Sequence, residues 1–405
     1  PRSDRDATSE RHHAHTRPTL APASHGHRSD GDFTRCRAGT RFWSTQQRTA
    51  RSTLPVGSLA GAGRPRPLPT GGGPPGGGAA ESGAVNNRRR GRCELLAWCV
   101  DRVRSIPRSD EVYCGSSVAT YAWTVRVRVP ASTANLGPGF DALALALSLY
   151  IEVSITPSES LELTTTGYGS EISDPERHLG VTLARQIMGH DRFHLTVHSE
   201  IPLARGLGSS AALAVAVAAA AGDPVPLAVG IQVDGHAENA AASLRGGFVT
   251  ASVDDDEIFV ASLPLDPALR FVVVVPEREL ATADARAALP PQLSYHDAAF
   301  NLARVAALTA GFADHTRLLA SAMDDRLHQR HRAPLLPFAD ELMEGMRDAG
   351  ALGACWSGAG STMLGVVTEA TATEVASHAR EILHRVGEAG DVMVVDADRV
   401  GLRFL

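Results

Sequence analysis

The sequence predicts an α+β fold made of two packed parts, preceded by a long segment of different composition. Strand-like runs and segments of helical periodicity are mixed throughout residues 124–405, which favours sheets covered by helices. Glycine- and serine-rich loops interrupt these segments at three widely separated places. Residues 1–120 show little periodicity of either kind. We therefore expect a folded body behind a non-globular extension.

The N-terminal extension is distinguished by its charge and by its low-complexity tracts. Residues 1–120 hold 19 arginines against 10 acidic residues, whereas the remainder holds 20 against 35. They include PTGGGPPGGGAAESG and RRRGR. Such a segment cannot bury enough apolar surface to offset its ordering entropy, so we expect it to be disordered. It is interpreted as a basic tail, a transit peptide or, preferably, residues upstream of a misplaced start. Its arginine run is expected to be solvated.

The first folded part is expected over residues 124–268 and is rich in predicted strands. Phe193–Glu200 alternates apolar and polar side chains, a pattern typical of a half-buried strand. Ala211–Ala221 consists of small residues and predicts a helix suited to close packing in an interior. The other predicted elements are strands over Thr124–Val129, Leu149–Thr156 and Leu161–Thr166, and a helix over Pro175–Met188.

The second folded part is expected over residues 269–405. The run FVVVV, bounded by Arg270 and Pro276, predicts a buried strand because it is apolar on both faces. The other predicted elements are helices over Asp297–Thr309, His315–Asp324, Phe338–Asp348 and Thr373–Val386, and strands over Ala351–Trp356, Met363–Val367 and Val392–Asp396.

The most informative stretch is IPLARGLGSSAALAV, which starts at Ile201 and leads from a predicted strand into the small-residue helix. Small residues in its turn let a ligand approach the backbone, and the first N–H groups of a helix have no partner within it. A phosphate satisfies those groups and meets the positive end of the helix dipole. We therefore predict an ATP site formed by Pro202, Leu203, Ala204, Arg205, Gly206, Leu207, Gly208, Ser209, Ser210, Ala211 and Ala212.

Two further loops share this small-residue character. VPASTANLGPGFD occupies Val129–Asp141, and SGAGST occupies Ser357–Thr362 between two apolar runs. Three such loops, far apart along the chain, indicate one pocket assembled from distant segments.

Composition limits the chemistry of this pocket. The chain contains no lysine, and all 39 basic residues are arginine. This excludes a Walker P-loop, a protein-kinase site and Schiff-base catalysis, which need a lysine. The five cysteines are odd in number and lack metal-ligand spacing, as is typical of a reducing cytosol. With no signal-peptide pattern or apolar run of membrane length, a cytoplasmic protein without a membrane partner is expected.

The motifs PASTANLGPGFD, PLARGLGSSAA and SGAGST together resemble, in content, order and spacing, the three motifs of the GHMP kinases. The first, with PGFD, is most similar to that of the homoserine kinases, and the resemblance covers about residues 125–405. It implies a domain like ribosomal protein S5 domain 2, then a ferredoxin-like domain, with ATP and substrate between them. The implied reaction is ATP-dependent phosphorylation of the L-homoserine hydroxyl to O-phospho-L-homoserine, a step toward threonine.

The resemblance also implies a Mg²⁺ site. Ser210, the second serine of the phosphate loop, is the expected hydroxyl ligand. Asp234 is the expected carboxylate, because DGHAEN resembles the E-G-H-P-D-N segment of bacterial homoserine kinases. It has one methylene less reach than glutamate. Ser361 stands where the family normally has proline, so that turn is expected to be looser.

The acceptor is expected to be held through its head groups. A carboxylate favours an arginine fork. The similarity of ATADARAALP to S-T-x-x-A-R-x-x-L-P points to Arg286, with Arg332 as the second candidate. No general base is assigned. We also expect Asn135, Asp141, His236 and Glu238 at the substrate, and we assign Asn135, Asp234, His236 and Asn239 to the catalytic group.

Other functions stay open at this point. A GHMP kinase for a mevalonate-like or isoprenoid alcohol would carry the same phosphate loop. A non-catalytic relative would keep the fold as a binding module, an interpretation favoured by Asp234 and Ser361. Nucleic-acid binding is not expected, because residues beyond 120 are strongly acidic. A small-molecule substrate is therefore predicted, and a homodimer is compatible with the family.

Overall fold

Two sheets organise the residues that the computed structural model describes, namely 33–37, 124–254 and 257–405. The first sheet contains Phe33–Arg37 (β1), Val125–Asn135 (β2), Gly139–Pro157 (β3), Glu162–Gly167 (β4), Phe193–Ser199 (β5), Phe248–Asp254 (β6), Glu257–Leu263 (β7) and Arg403–Phe404 (β12). The second contains Leu269–Pro276 (β8), Gly353–Trp356 (β9), Met363–Thr368 (β10) and Gly390–Val395 (β11).

The first sheet is built around β3, a strand of 19 residues. One edge of β3 pairs with β2, and the other pairs with β6 near its start and with β5 near its end. The order along the sheet is β1-β7-β6-β3-β2-β12, and β4 lies parallel beside β5. The second sheet is antiparallel, with the order β11-β8-β10-β9. The tight connection between β2 and β3 carries the first glycine-rich motif.

Strand β1 lies within the extension that we expect to be disordered. Its backbone pairs antiparallel with β7, from Phe33 opposite Ala261 to Arg37 opposite Glu257. An edge strand such as β7 offers a row of unpaired backbone N–H and C=O groups, with which another strand can pair. This pairing does not depend on side-chain hydrophobicity, so the composition of the extension does not predict it. The other residues of the predicted extension, 1–32 and 38–120, lie outside the described residues. The predictions of their disorder and of a misplaced start codon fall on these residues.

The helices of the described residues cover the two sheets. The α-helices are Leu179–Met188 (α1), Ser209–Ala220 (α2), Pro226–Asp234 (α3), Glu238–Arg245 (α4), Thr282–Ala287 (α5), Tyr295–Ala313 (α6), Gln329–Arg332 (α7), Ala339–Asp348 (α8) and Ala372–Arg385 (α9). Short 3₁₀ turns occur at Pro175–Arg177, His315–Arg317, Ala320–Met323 and Ala333–Leu335. None of the helices in the described ranges is long and apolar enough to cross a membrane.

Helix α2 is the interior helix of the first part, as its small residues predict. It packs against β2, β3 and the neighbouring helices α1, α3 and α4. A Cβ added at Gly230 of α3 would approach the Ala240 methyl to 2.7 Å and Val215 of α2 to 2.9 Å. Small side chains therefore let these helices approach closely, and the approach brings the start of α2 near the end of α3.

Strand β8 confirms the prediction made from FVVVV. Phe271 and Val273 belong to the large core shared with the first sheet, where Phe312 of α6 packs 6.4 Å from the Phe271 ring. Val272 and Val274 face a second core, which α8 and α9 cover. The strand is thus buried on both faces.

The predicted helix His315–Asp324 is wrong. The segment forms two 3₁₀ turns separated by extended residues, Leu318 and Leu319. The Asp266 carboxylate accepts hydrogen bonds from the backbone N–H and the ring Nδ1 of His315, and these hold the pKa of Asp266 down at about 2. This anchor comes from a residue distant in the chain, so local periodicity does not reveal it. The described residues belong to one unit, Asp32–Leu405, and the domain boundary at residues 268–269 stays a prediction.

Candidate active site

A cavity of about 300 Å³ lies where the three glycine-rich loops meet. The β2–β3 connection contributes Asn135 and Asp141, the phosphate loop contributes Ala204 to Ser210, and the third loop contributes Gly358 and Ala359. The expectation of one pocket built from three distant loops is therefore confirmed.

Direct contacts brace the loops against one another. The Ser357 hydroxyl donates to the Gly206 carbonyl at 2.7 Å, and Ser132 N–H donates to the Leu207 carbonyl at 3.1 Å. Gly206 has φ +76°, and an added Cβ would lie 2.2 Å from the Ser357 carbonyl oxygen. The Asn135 amide donates to the Gly358 carbonyl at 2.7 Å. These contacts fix the floor of the cavity without any ligand.

The start of α2 forms the anion-binding end of the cavity. Gly208 caps the helix in a left-handed conformation with φ +64°, and no side chain caps the first N–H groups. A Cβ on Gly208 would meet the Ser132 hydroxyl at 2.2 Å, so glycine is required there. Uncapped N–H groups that face a cavity suit a phosphate.

Asp234, Ser210 and Asn239 lie side by side in the wall of this cavity. The Ser210 hydroxyl donates to Asp234 Oδ1 at 2.8 Å, and the Asn239 amide donates to Asp234 Oδ2 at 3.1 Å. Gly235 ends α3 with φ +80° and turns the chain toward α4. The set combines a carboxylate and a hydroxyl beside the anion-binding end, as a Mg²⁺ ion held with phosphate needs.

Glu238 is the most unusual group in the cavity wall. The residue is 3% exposed, and its Oε2 atom is buried without a hydrogen-bond partner. Burial, together with the nearby charges of Asp141 and Asp234, raises its pKa to about 7. A buried carboxylate oxygen without a partner is costly, and a ligand cation would satisfy it. His236, two residues earlier, is half-buried in the same wall.

Two arginines form the opposite end. The half-buried Arg286 donates from Nη2 to Asp141 Oδ1 at 2.7 Å, while its Nε atom is buried without a partner. Arg332 is 1% exposed and donates to the carbonyls of Ala285 and Gly358. Burial and the nearby Arg286 lower the pKa of Arg332 to about 10. Two guanidinium groups facing one cavity favour an anion there.

The predicted ATP residues divide among three environments. Ala211 and Ala212 are fully buried in α2 and do not line the cavity, because the helix turns them toward the sheet. Pro202 and Leu203 line a second cavity of about 290 Å³, which also contains Tyr168. Arg205 borders both cavities, and its guanidinium donates to the carbonyls of Pro276 and Glu277 at the end of β8.

Some cavity residues were not predicted individually. Thr282 of α5 lines the cavity, and it matches the threonine of the S-T-x-x-A-R-x-x-L-P pattern, from which it could have been named. Gly358 and Ala359 belong to SGAGST, a motif from which they could have been named. The Ser361 hydroxyl donates to the Arg278 carbonyl at 2.5 Å. This hydrogen bond holds the turn that we expect to be looser in the absence of proline.

Sequence and structure comparisons agree on the relatives of this chain. The GHMP kinases N terminal domain matches residues 178–249, and the GHMP kinases C terminal domain matches residues 306–385. A homoserine kinase of Carboxydothermus hydrogenoformans is 38% identical over 264 residues, which cover 61% of this chain and 86% of that protein. One from Deinococcus radiodurans is 37% identical over 293 residues, which cover 68% and 95%.

A solved structure gives the same answer. The crystal structure of homoserine kinase from Cytophaga hutchinsonii is 26% identical, with a TM-score of 0.62, and the match covers 73% of this chain and all of that one. The similarity of sequence, of both domain profiles and of fold extends over residues that form the cavity. The chain therefore belongs to the homoserine kinase family of the GHMP kinases.

Proposed function

We propose that this protein transfers the γ-phosphoryl group of ATP to the hydroxyl of L-homoserine, giving O-phospho-L-homoserine and ADP, a step toward threonine. The observation that carries the proposal is the arrangement of one cavity. Uncapped N–H groups of α2 lie at one end and two arginines at the other, with the unpartnered carboxylate of Glu238 in the wall. An amino-acid alcohol presents the head groups that these residues match.

The nucleotide phosphates are placed on the turn that starts α2. Ser210 and Asp234 would hold Mg²⁺, whose charge would stabilise the phosphates during transfer. The two side chains already touch through a hydrogen bond of 2.8 Å, so both are oriented toward one point. The second cavity, beside Pro202 and Leu203, is the place that we propose for the adenine ring.

The acceptor is placed across the cavity. Arg286 and Arg332 bind the carboxylate, while Glu238 and Asn239 accept the ammonium. This pairing gives every charged head group a partner of opposite charge or a hydrogen-bond acceptor. Asn135 and His236 then flank the hydroxyl that attacks phosphorus.

In the transfer, a bond forms between the hydroxyl oxygen and the γ-phosphorus while the bond to the ADP oxygen breaks. The Asp141 carboxylate accepts a hydrogen bond from Arg286, and the backbone N–H of Asp141 donates to the Asn135 amide oxygen at 3.0 Å. We therefore assign the hydroxyl proton to the transferred phosphoryl oxygens and give Asp141 a positioning role. Catalysis then consists mainly of alignment and charge stabilisation.

The residues needed for this reaction all come from one chain, so the proposal does not require a second copy. A cytosolic location is proposed with it, where ATP is available. The free thiol of Cys355 is buried, and burial raises the pKa of this thiol, which keeps it out of the chemistry.

The reaction is tested by following ADP release from purified full-length protein with ATP, Mg²⁺ and separate acceptors. L-Homoserine should be used at least about tenfold more efficiently than mevalonate, L-serine or glycerol, since only it offers both head groups and a hydroxyl at the required reach. Mass spectrometry should detect O-phospho-L-homoserine. Efficient phosphorylation of an acceptor without an amino-acid head group, with homoserine ignored, would overturn the proposal.

Glu238 should make homoserine binding depend on pH. Only the ionised carboxylate attracts the ammonium, and its pKa is raised to about 7. Affinity should therefore rise with pH up to about 7 and level off above it, changing by roughly tenfold per pH unit well below that value. Calorimetry from pH 5.5 to 8, without nucleotide or Mg²⁺, measures this change. In Glu238→Gln the dependence should disappear, and an unchanged slope in that variant would remove the ammonium role.

A further inference from the structure

A buried polar cluster lies behind the arginine end of the cavity, and, apart from Arg332, the proposed reaction leaves its members without a role. It consists of Asp325, His328 and Arg332, together with Asn301 of α6. The side chains of Asp325 and His328 are both 0% exposed. Buried polar side chains are costly unless their hydrogen bonds are made, so this cluster has a specific arrangement to maintain.

The neighbours of His328 determine which ring nitrogen carries its proton. Nε2 lies 2.8 Å from the Gly137 carbonyl, which can only accept a hydrogen bond, so Nε2 is protonated. Nδ1 lies 3.2 Å from Arg332 Nη1, which can only donate, so Nδ1 is bare. Burial lowers the pKa of His328 to about 4, which agrees with a neutral ring.

The backbone that carries His328 is itself fixed. The Asp325 carboxylate accepts backbone N–H groups of Leu327, His328 and Gln329 at 2.9, 2.7 and 2.7 Å. It also accepts the Asn301 amide at 2.7 Å. The Phe140 ring packs against the His328 ring with centroids 5.2 Å apart. The imidazole therefore has one orientation in which to present Nδ1.

These contacts leave one edge of Arg332 directed to the cavity. Its Nε donates to Ala285 at 3.0 Å, and its Nη1 is shared between His328 Nδ1 and the Gly358 carbonyl. Among the hydrogen bonds of the described residues, none involves Nη2, although Arg332 lines the cavity. The acceptors thus fix Nε and Nη1 of the guanidinium and leave Nη2 available to a ligand in the cavity.

We propose that His328 is a positioning residue for acceptor binding, which orients Arg332 by accepting its Nη1–H at Nδ1. The inference rests on the proposed function, in which Arg332 binds the acceptor carboxylate. His328 never touches the acceptor in this account. It acts by fixing the direction of the guanidinium, while the bond from Nε2 to Gly137 anchors the loop of the first motif.

Two substitutions separate the two bonds of the ring. In His328→Asn, the amide oxygen stands at the same distance from the backbone as Nδ1 and can still accept from Arg332. In His328→Gln, the amide nitrogen reaches the place of Nε2 and can still donate to Gly137, while the acceptor for Arg332 is lost. Both variants lose the aromatic contact with Phe140, so they are matched controls for each other.

The expected result is a difference confined to the acceptor. His328→Gln should raise KM for homoserine about tenfold, as loss of a well-oriented charged hydrogen bond can do. His328→Asn should stay within about threefold of the wild type, with KM for ATP nearly constant in both. Thermal unfolding is measured in parallel. Should the glutamine variant not fold, the asparagine variant decides: a homoserine KM near the wild-type value supports the proposal, and a tenfold rise overturns it.

Equal changes in homoserine KM in both variants, or parallel changes in KM for ATP and homoserine, would show a merely structural role for His328. A wild-type enzyme that does not use homoserine at all is a different result. It would defeat the proposed function itself, before any variant is compared.

Discussion

Asp234→Asn should lower kcat by roughly a hundredfold or more, since removing one preorganised electrostatic group from an active site commonly has that effect. The asparagine side chain has the same shape but no negative charge, so it would bind Mg²⁺ much more weakly than the carboxylate. Asp234 is only half-buried, and its partners Ser210 and Asn239 can bond to an amide oxygen, so the fold should persist. Steady-state kinetics over a range of Mg²⁺ concentrations measures the loss, and thermal unfolding checks the fold.

Two companion variants sharpen this result. Asp348→Asn changes an exposed aspartate at the end of α8, outside the cavity, and should leave kcat unchanged. Asp234→Glu restores the longer carboxylate that the family resemblance leads us to expect, and should retain activity. If Asp234→Asn keeps near-normal turnover at low Mg²⁺, the metal ligand lies elsewhere.

Arg286→Ala should raise KM for homoserine by one to three powers of ten and leave KM for ATP close to normal. Charge-assisted hydrogen bonds are worth about 1.5–3 kcal/mol each, and about 1.4 kcal/mol is tenfold in affinity. The substitution also leaves Asp141 without its guanidinium partner, and this unpaired negative charge would repel the acceptor carboxylate. Kinetics with each substrate varied in turn separates the two KM values.

The lysine variant distinguishes charge from shape. Arg286→Lys should recover only part of the lost affinity, because an ammonium cannot match a planar fork. Arg385→Ala, which removes an exposed arginine paired with Glu341 on the far helices, serves as the neutral control. Arg332 is a poorer choice for this test, since truncating it would leave the buried Ala285 carbonyl without its arginine donor and the Gly358 carbonyl with the Asn135 amide alone. A similar rise in KM for ATP and homoserine would argue against a role for Arg286 in acceptor selection.

Local signals were sufficient for the elements that depend on local chemistry. The small-residue helix α2 and the doubly buried β8 follow from side-chain size and apolar pattern alone. The pairing of β1 with β7 depends instead on contacts between distant residues. The same holds for the 3₁₀ turn at His315–Arg317, which is anchored by Asp266. Periodicity within a short window carries no information about such partners.

The candidate site shows the same division. The motifs identified most of the polar residues that line the cavity, including Ser210, Asp234 and Glu238, but not Thr282. Because the motif was taken as one contiguous stretch, Ala211 and Ala212 were also predicted to bind ATP. A helix rotates successive residues by about 100°, and these two side chains are buried in the core. The proposed role of His328 was not predicted, because it depends on hydrogen bonds to Gly137 and Arg332. Such contacts are visible only in the folded structure.

The contact between Gly206 and Ser357 has a consequence for how this sequence can change over generations. The two positions are 151 residues apart, yet the space that a side chain on Gly206 would need is occupied by the backbone carbonyl of Ser357. A substitution at Gly206 becomes tolerable only if the third loop has already moved. Neither loop can therefore drift alone, and the two segments must be inherited as a matched pair.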